Sequence, residues 1–127
     1  MKLVLFSGLN DRQWQPGAWV DAGVVPLSGL VRAGHDPQHT MVCLIDDFES
    51  LRDRLHAHVA QAKPIEHGAY RLGPPLPRPG KILCCIANYW EHEQRERRDL
   101  NLFLKNPDAV IGPGDTIELP EVTEPWC

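Results

Sequence analysis

Pro77-Arg78-Pro79-Gly80-Lys81-Ile82-Leu83-Cys84-Cys85-Ile86-Ala87-Asn88-Tyr89 is the stretch on which the reading of the fold turns. Within a few residues it passes from backbone that cannot join regular structure to backbone that reads as a strand. Residues 72–80, which lead into it, hold four prolines in nine positions. Proline fixes φ and has no N–H to donate, so this segment is expected to be extended and polyproline-like, a linker between two halves. Residues 81–87 then form an apolar run of strand length. The expected organisation is a small N-terminal domain over residues 1–72, a proline-rich linker over 73–80, and the start of a second domain over 81–127.

Working back from the linker, residues 46–62 read as the clearest helix. Phe48, Leu51, Leu55, Val59 and Ala62 recur at steps of three or four and make one apolar stripe. Asp46 or Asp47 is placed to cap its first turn. Met41-Val42-Cys43-Leu44-Ile45 is ambiguous between strand and short helix, and residues 33–37 read as a loop. Leu3-Val4-Leu5-Phe6 reads as a first strand. Residues 19–27 form a second extended stretch with a turn around Asp21 to Gly23.

Working forward, residues 89–98 read as a short, strongly charged helix and residues 102–105 as a strand. Residues 111–115 form a turn, with Gly112 and Gly114 both able to take positive φ and Pro113 fixing the corner. Residues 116–120 are expected to close as another strand. This half has apolar strands and little to cover both faces of a sheet, so it reads as the opening of a larger β-rich domain. The fold class is therefore α+β.

Composition narrows the function. Thirteen Lys and Arg against seventeen Asp and Glu give a net charge of -4. No basic stripe suits nucleic acid, and the longest apolar runs fall far short of the roughly 20 residues of a membrane span. The N-terminal apolar stretch is too short for a signal peptide and is followed by Asn10-Asp11-Arg12. A cytoplasmic protein is expected. Cys43, Cys84, Cys85 and Cys127 match no zinc spacing, and adjacent Cys84 and Cys85 on a strand point to opposite faces. They read as reduced thiols. His35 and His39 flank Asp36 and offer the atoms of a metal clip, although loops of this composition are ordinarily just polar. His56 and His58 lie two apart on a helix and face different directions.

Three segments carry a resemblance. Residues 77–89 resemble the stretch opening the catalytic domain of the fumarylacetoacetate-hydrolase family, where an "R-P-G-K-I" start leads through a strand to an Asn-Tyr pair and a histidine-bearing helix. Phe103-Leu104-Lys105-Asn106-Pro107 resembles the family's "F-L-K-x-P" segment, and residues 109–120 its "I-G-P-G-D-x-I-x-L-P" turn and strand. They occur in order, with suitable gaps, across residues 77–120. The N-terminal half resembles, more loosely, the accessory domain that many members carry.

The resemblance implies a mixed β-roll catalytic domain binding one Mg²⁺ or Mn²⁺ through three carboxylates, in a homodimer. It implies small diketo or hydroxy-dienoic substrates whose keto-acid end chelates the metal, and C–C hydrolysis, isomerisation or decarboxylation. A hard, oxygen-liganded cation suits such chemistry because it stabilises an enolate as charge develops. By position His92 corresponds to the histidine that activates water as general base, which an imidazole can do near neutral pH. The glutamate that orients this histidine in hydrolytic members is replaced by Arg95; Glu96, four residues from His92, shares its helical face. Tyr89 and Lys105 correspond to residues near the substrate. The family's metal-binding Glu-x-Glu lies beyond Pro120, and Glu121 and Glu124 have the wrong spacing for it. These 127 residues are thus expected to be the front part of an enzyme, to hold no metal cofactor and to be inactive alone. The alternative is a non-catalytic remnant that serves as a dimerisation module.

Overall fold

The computed structural model describes residues 1–86, 99–119 and 121. Its architecture is α+β, as expected, and is built on a four-stranded antiparallel sheet. Strand β1 (Lys2–Gly8) pairs on one side with β2 (Gln15–Val20), which pairs with β3 (Gly23–Pro26). On its other side β1 pairs with β4 (Tyr70–Gly73), giving the order β3-β2-β1-β4. The β2–β3 connection is the two-residue turn Asp21-Ala22, where the sequence places it.

Gly23, which ends that turn, is required twice over. Its φ is +142°, and a Cβ there would lie 1.9 Å from the carbonyl oxygen of Ile65. That carbonyl accepts from the Val24 N–H at 3.0 Å while the Ile65 N–H donates back to Val24 at 2.8 Å. The chain returning from the helices is thereby stitched to the free edge of β3.

Helix α1 (Pro37–Asp46) and helix α2 (Phe48–Gln61) cover one face of the sheet. Strand alternation sends Leu5 and Ala18 to that face, where they meet Leu27, Met41, Leu44 and Leu55 in a closed core. Each of the buried leucines and Met41 stabilises the fold by about 1.5–3 kcal/mol. Phe48, Leu51 and Val59 of the expected stripe pack against this core. On the opposite face Phe6 is fully buried, and a Cβ on Gly17 would come within 2.8 Å of its ring. Trp19, His67 and Tyr70 cluster there, with ring centroids 5.3–6.3 Å apart. Buried Ser7 accepts from Arg71 Nε at 2.8 Å, and the Arg71 guanidinium lies 5.0 Å from the Trp14 ring.

In this part of the chain three expectations need correction and one ambiguity is settled. The ambiguous 41–45 stretch is helical, and its helix begins inside the expected loop: Asp36 is the N-cap of α1 and Pro37 its first residue. Asp47, not Asp46, stands between the helices, and its side chain makes no capping bond to α2 but pairs with Arg32 at 3.5 Å. Leu72 and Gly73 belong to edge strand β4, so the proline-bound stretch begins at Pro74. Edge position lets Gly73 pair with Leu5 before the prolines forbid further pairing.

Beyond the linker the apolar runs are strands, as expected, and β5 (Ile82–Ile86) and β6 (Asn101–Lys105) form an antiparallel pair. Leu83, Cys85, Leu102 and Leu104 share one face; Cys84 and Phe103 share the other. The two adjacent cysteines do point apart, and Cys43, Cys84 and Cys85 are free thiols. Residues 115–119 carry no strand, contrary to expectation, because no strand among the described residues lies beside them to complete a ladder. The preceding turn forms, with Gly114 at φ +84°. Gly112 is not in the positive-φ region. Its surroundings are close instead: a Cβ would meet Pro74 Cδ at 3.1 Å and Gly73 Cα at 3.2 Å. Among the described residues no helix is long and apolar enough to cross a membrane.

Candidate functional site

The residues singled out for catalysis fall in two groups. His92, Glu96 and Tyr89, with Asn88 and Arg95 beside them, lie outside the described residues. Lys105 is described: it is the exposed last residue of β6, opposite Ile82, with Nζ 5.9 Å from the Phe103 ring centroid. Ile86, where the chain leaves β5 toward His92, is opposite Asn101 at the far end of the pair. Four residues of strand, roughly 13 Å, separate Lys105 from that end. The described residues therefore bring no second candidate to Lys105.

The carboxylates near this half are committed elsewhere. Asp108 pairs with Arg78, and Asp115 accepts the Gly112 N–H at 2.6 Å. Glu118 and Glu121 are exposed. No three of these carboxylates converge among the described residues. A hard Mg²⁺ or Mn²⁺ ion takes an oxygen-only donor set.

Groups that do converge are at the start of α1. His35 Nε2 lies 3.3 Å from Asp36 Oδ2, and His39 Nδ1 lies 3.0 Å from both Asp36 oxygens. Asp36 Oδ1 also accepts the His39 backbone N–H at 2.7 Å. That bond, more than the neighbouring imidazoles, holds the Asp36 carboxyl below its ordinary pKa. The sequence offered these donors, but nothing in it told that an Asp-Pro pair would turn the loop into a helix cap and gather them.

Beside this cluster is a cavity of about 540 Å³ lined by Leu5, Trp14, Asp36, His39, Pro77 and Arg78 among others. Gln38 closes one side, donating to the Arg78 carbonyl at 2.7 Å and accepting the Arg78 N–H. Its walls come from β1, the β1–β2 loop, α1 and the proline stretch, positions up to some seventy residues apart. No local motif could have announced it.

No protein-family model matches the chain, and no curated protein matches it. Solved structures do. The structure of maleylpyruvate hydrolase from Sphingobium sp. SYK-6 in complex with manganese(II) and pyruvate is 30% identical, with a TM-score of 0.79 over 96% of this chain. A second structure of maleylpyruvate hydrolase from Sphingobium sp. SYK-6 is likewise 30% identical, with a TM-score of 0.80 over 97%. The chain spans 43% and 44% of those two chains. Maleylpyruvate hydrolase is an enzyme of the fumarylacetoacetate-hydrolase family, so the likeness agrees with the resemblance that the motifs of residues 77–120 carry. The particular member it resembles is a metal-binding hydrolase.

Proposed function

We propose that this chain is the N-terminal part of a divalent-metal-dependent enzyme that acts on small diketo or hydroxy-dienoic acids. The observation that carries the reading is the 30% identity and TM-score of 0.79, over 96% of the chain, with a hydrolase whose structure holds manganese and pyruvate. Pyruvate is a keto acid, and an acylpyruvate presents the same keto-acid end to a metal. When bound, Mg²⁺ or Mn²⁺ would supply charge stabilisation for the enolate that leaves as a C–C bond to such a group breaks. Within this chain His92 takes the proton of the attacking water, and Glu96 four residues on holds the imidazole in orientation. Tyr89 and Lys105 hold the substrate carboxylate or its keto oxygen. The proline stretch divides the protein into an accessory part, residues 1–72, and a catalytic part that begins at residue 81. The complete enzyme is a cytoplasmic homodimer.

Arg95 in place of the dyad glutamate weighs against the fastest hydrolytic chemistry and leaves isomerisation and decarboxylation as the competing reactions of the same site. A second reading is favoured by one observation. The β5–β6 pair exposes apolar side chains on both faces, Leu83 at 63% and Leu104 at 66% on one, Phe103 at 43% on the other. A two-stranded ribbon of this kind needs a cover, and a chain that catalyses nothing would offer it to a full-length relative as a dimerisation module.

The test is an assay of pyruvate release from an acylpyruvate by the protein purified from its own cells, with Mn²⁺ or Mg²⁺ and after chelation. Metal-dependent release that falls by about 10²–10⁴ in kcat for His92→Ala, with KM little changed, is the expected result. Turnover indifferent to chelation, or to His92→Ala, would overturn the proposal. The isolated 127 residues are expected to show no metal-dependent turnover.

A further inference from the structure

The junction of the 33–36 loop with α1 holds donors that the proposed enzymatic reading leaves unused. We propose that His35, Asp36 and His39 form a surface site for a divalent transition-metal ion of the zinc type, separate from the hard cation of the catalytic domain. Their donor atoms all lie within 4.8 Å of one another. Tetrahedral ligands at zinc bond lengths of about 2.0–2.2 Å sit about 3.3–3.5 Å apart. His35 Nε2 and His39 Nδ1 already stand 3.3 and 3.0 Å from Asp36 Oδ2. Side-chain adjustments of under about 1 Å bring all three onto one ion.

Asp36 as helix cap accounts for its bond to the His39 backbone N–H. The His35 and His39 rings have centroids only 3.5 Å apart and turn toward the same carboxylate. A neutral ring donates its N–H to Asp36; in the other tautomer the same nitrogen is a lone pair that can ligate an ion beside the carboxylate. Two imidazoles with one carboxylate are a donor set for Zn²⁺ rather than for Mg²⁺.

The scaffold is also fixed before any ion arrives. Thr40 Oγ1 donates to the Asp36 carbonyl at 3.0 Å and accepts the Gly34 N–H at 2.9 Å, tying the loop to the first helical turn. Gly34 sits so close that a Cβ would be 2.5 Å from that of His39. The cavity lined by Asp36 and His39 leaves space for the water that completes a four-ligand shell.

The experiment is a Zn²⁺ titration of the chain by calorimetry, with histidine ring-proton resonances followed in parallel and Mg²⁺ as the comparison. One equivalent of Zn²⁺ is expected to shift the His35 and His39 resonances, with no response to Mg²⁺. His35→Ala, His39→Ala and Asp36→Asn each lower the affinity by at least about tenfold, the scale on which even outer-shell partners matter. Asp36→Asn retains a capping side chain, so unchanged helical circular dichroism in it shows that a ligand and not the fold was lost. His56→Ala and the Cys84→Ser, Cys85→Ser double variant keep wild-type affinity. Zn²⁺ that fails to bind, binds His35→Ala as tightly as wild type, or loses its site with the cysteines would overturn the proposal.

Discussion

Gly23 shows how one residue can join two parts of the chain. Its positive φ and the Ile65 carbonyl 1.9 Å from where a Cβ would lie both exclude a side chain. Gly23→Ala is expected to cost about 2–4 kcal/mol from backbone strain and steric overlap, read by urea denaturation, whereas Gly29→Ala, with open space around it, stays within about 0.5 kcal/mol. Asp36 contributes to the response to acid. Its folded pKa is lowered, so the stability it contributes is present above the ordinary carboxylate range and is lost as pH falls through that lowered value. Asp36→Asn should remove this acid-side dependence while keeping the cap, and Asp36→Ala should remove both; thermal unfolding between pH 2 and pH 7 checks it. The sequence named Asp36 and its two histidines as donors. It could not reveal that Pro37 in the first helical position makes Asp36 a cap, because a proline after an aspartate is equally at home in a turn.

Elements were legible where one physical signal dominated. The stripe Phe48, Leu51, Leu55 and Val59 fixes α2 because only a 3.6-residue period puts those side chains on one face, and Leu55 does reach the core. Leu55→Ala is expected to destabilise by about 2–5 kcal/mol, as cavity-forming changes do, with the denaturation midpoint as the readout. The caps were less legible. Asp47 has the right residue type for an N-cap, yet its side chain makes no such bond and pairs with exposed Arg32. Asp47→Ala should therefore change stability by less than about 1 kcal/mol. A loss nearer 2 kcal/mol would show a capping role after all. Residues 116–119 mark the limit of pattern reading: alternation there suits a strand, but a strand exists only beside a partner, and local pattern carries no information about partners.

At the scale of the whole molecule, the N-terminal sheet and its helices are closed around Leu5, Leu27, Met41, Leu44 and Leu55, while the β5–β6 pair exposes apolar side chains on both faces. That contrast, with a match to 43% of a solved hydrolase chain, is the physical content of reading this chain as the front of a larger enzyme. The motifs of residues 77–120 made the family resemblance legible. The candidate site was legible only as residue types: Lys105 ends β6, while His92, Glu96 and Tyr89 lie outside the described residues. The most direct measurement is the intact mass of the protein made in its own cell. The account predicts a mass of roughly twice the 14.3 kDa of these 127 residues or more. A mass equal to that of Met1–Cys127 alone would contradict it and leave the dimerisation module as the better reading.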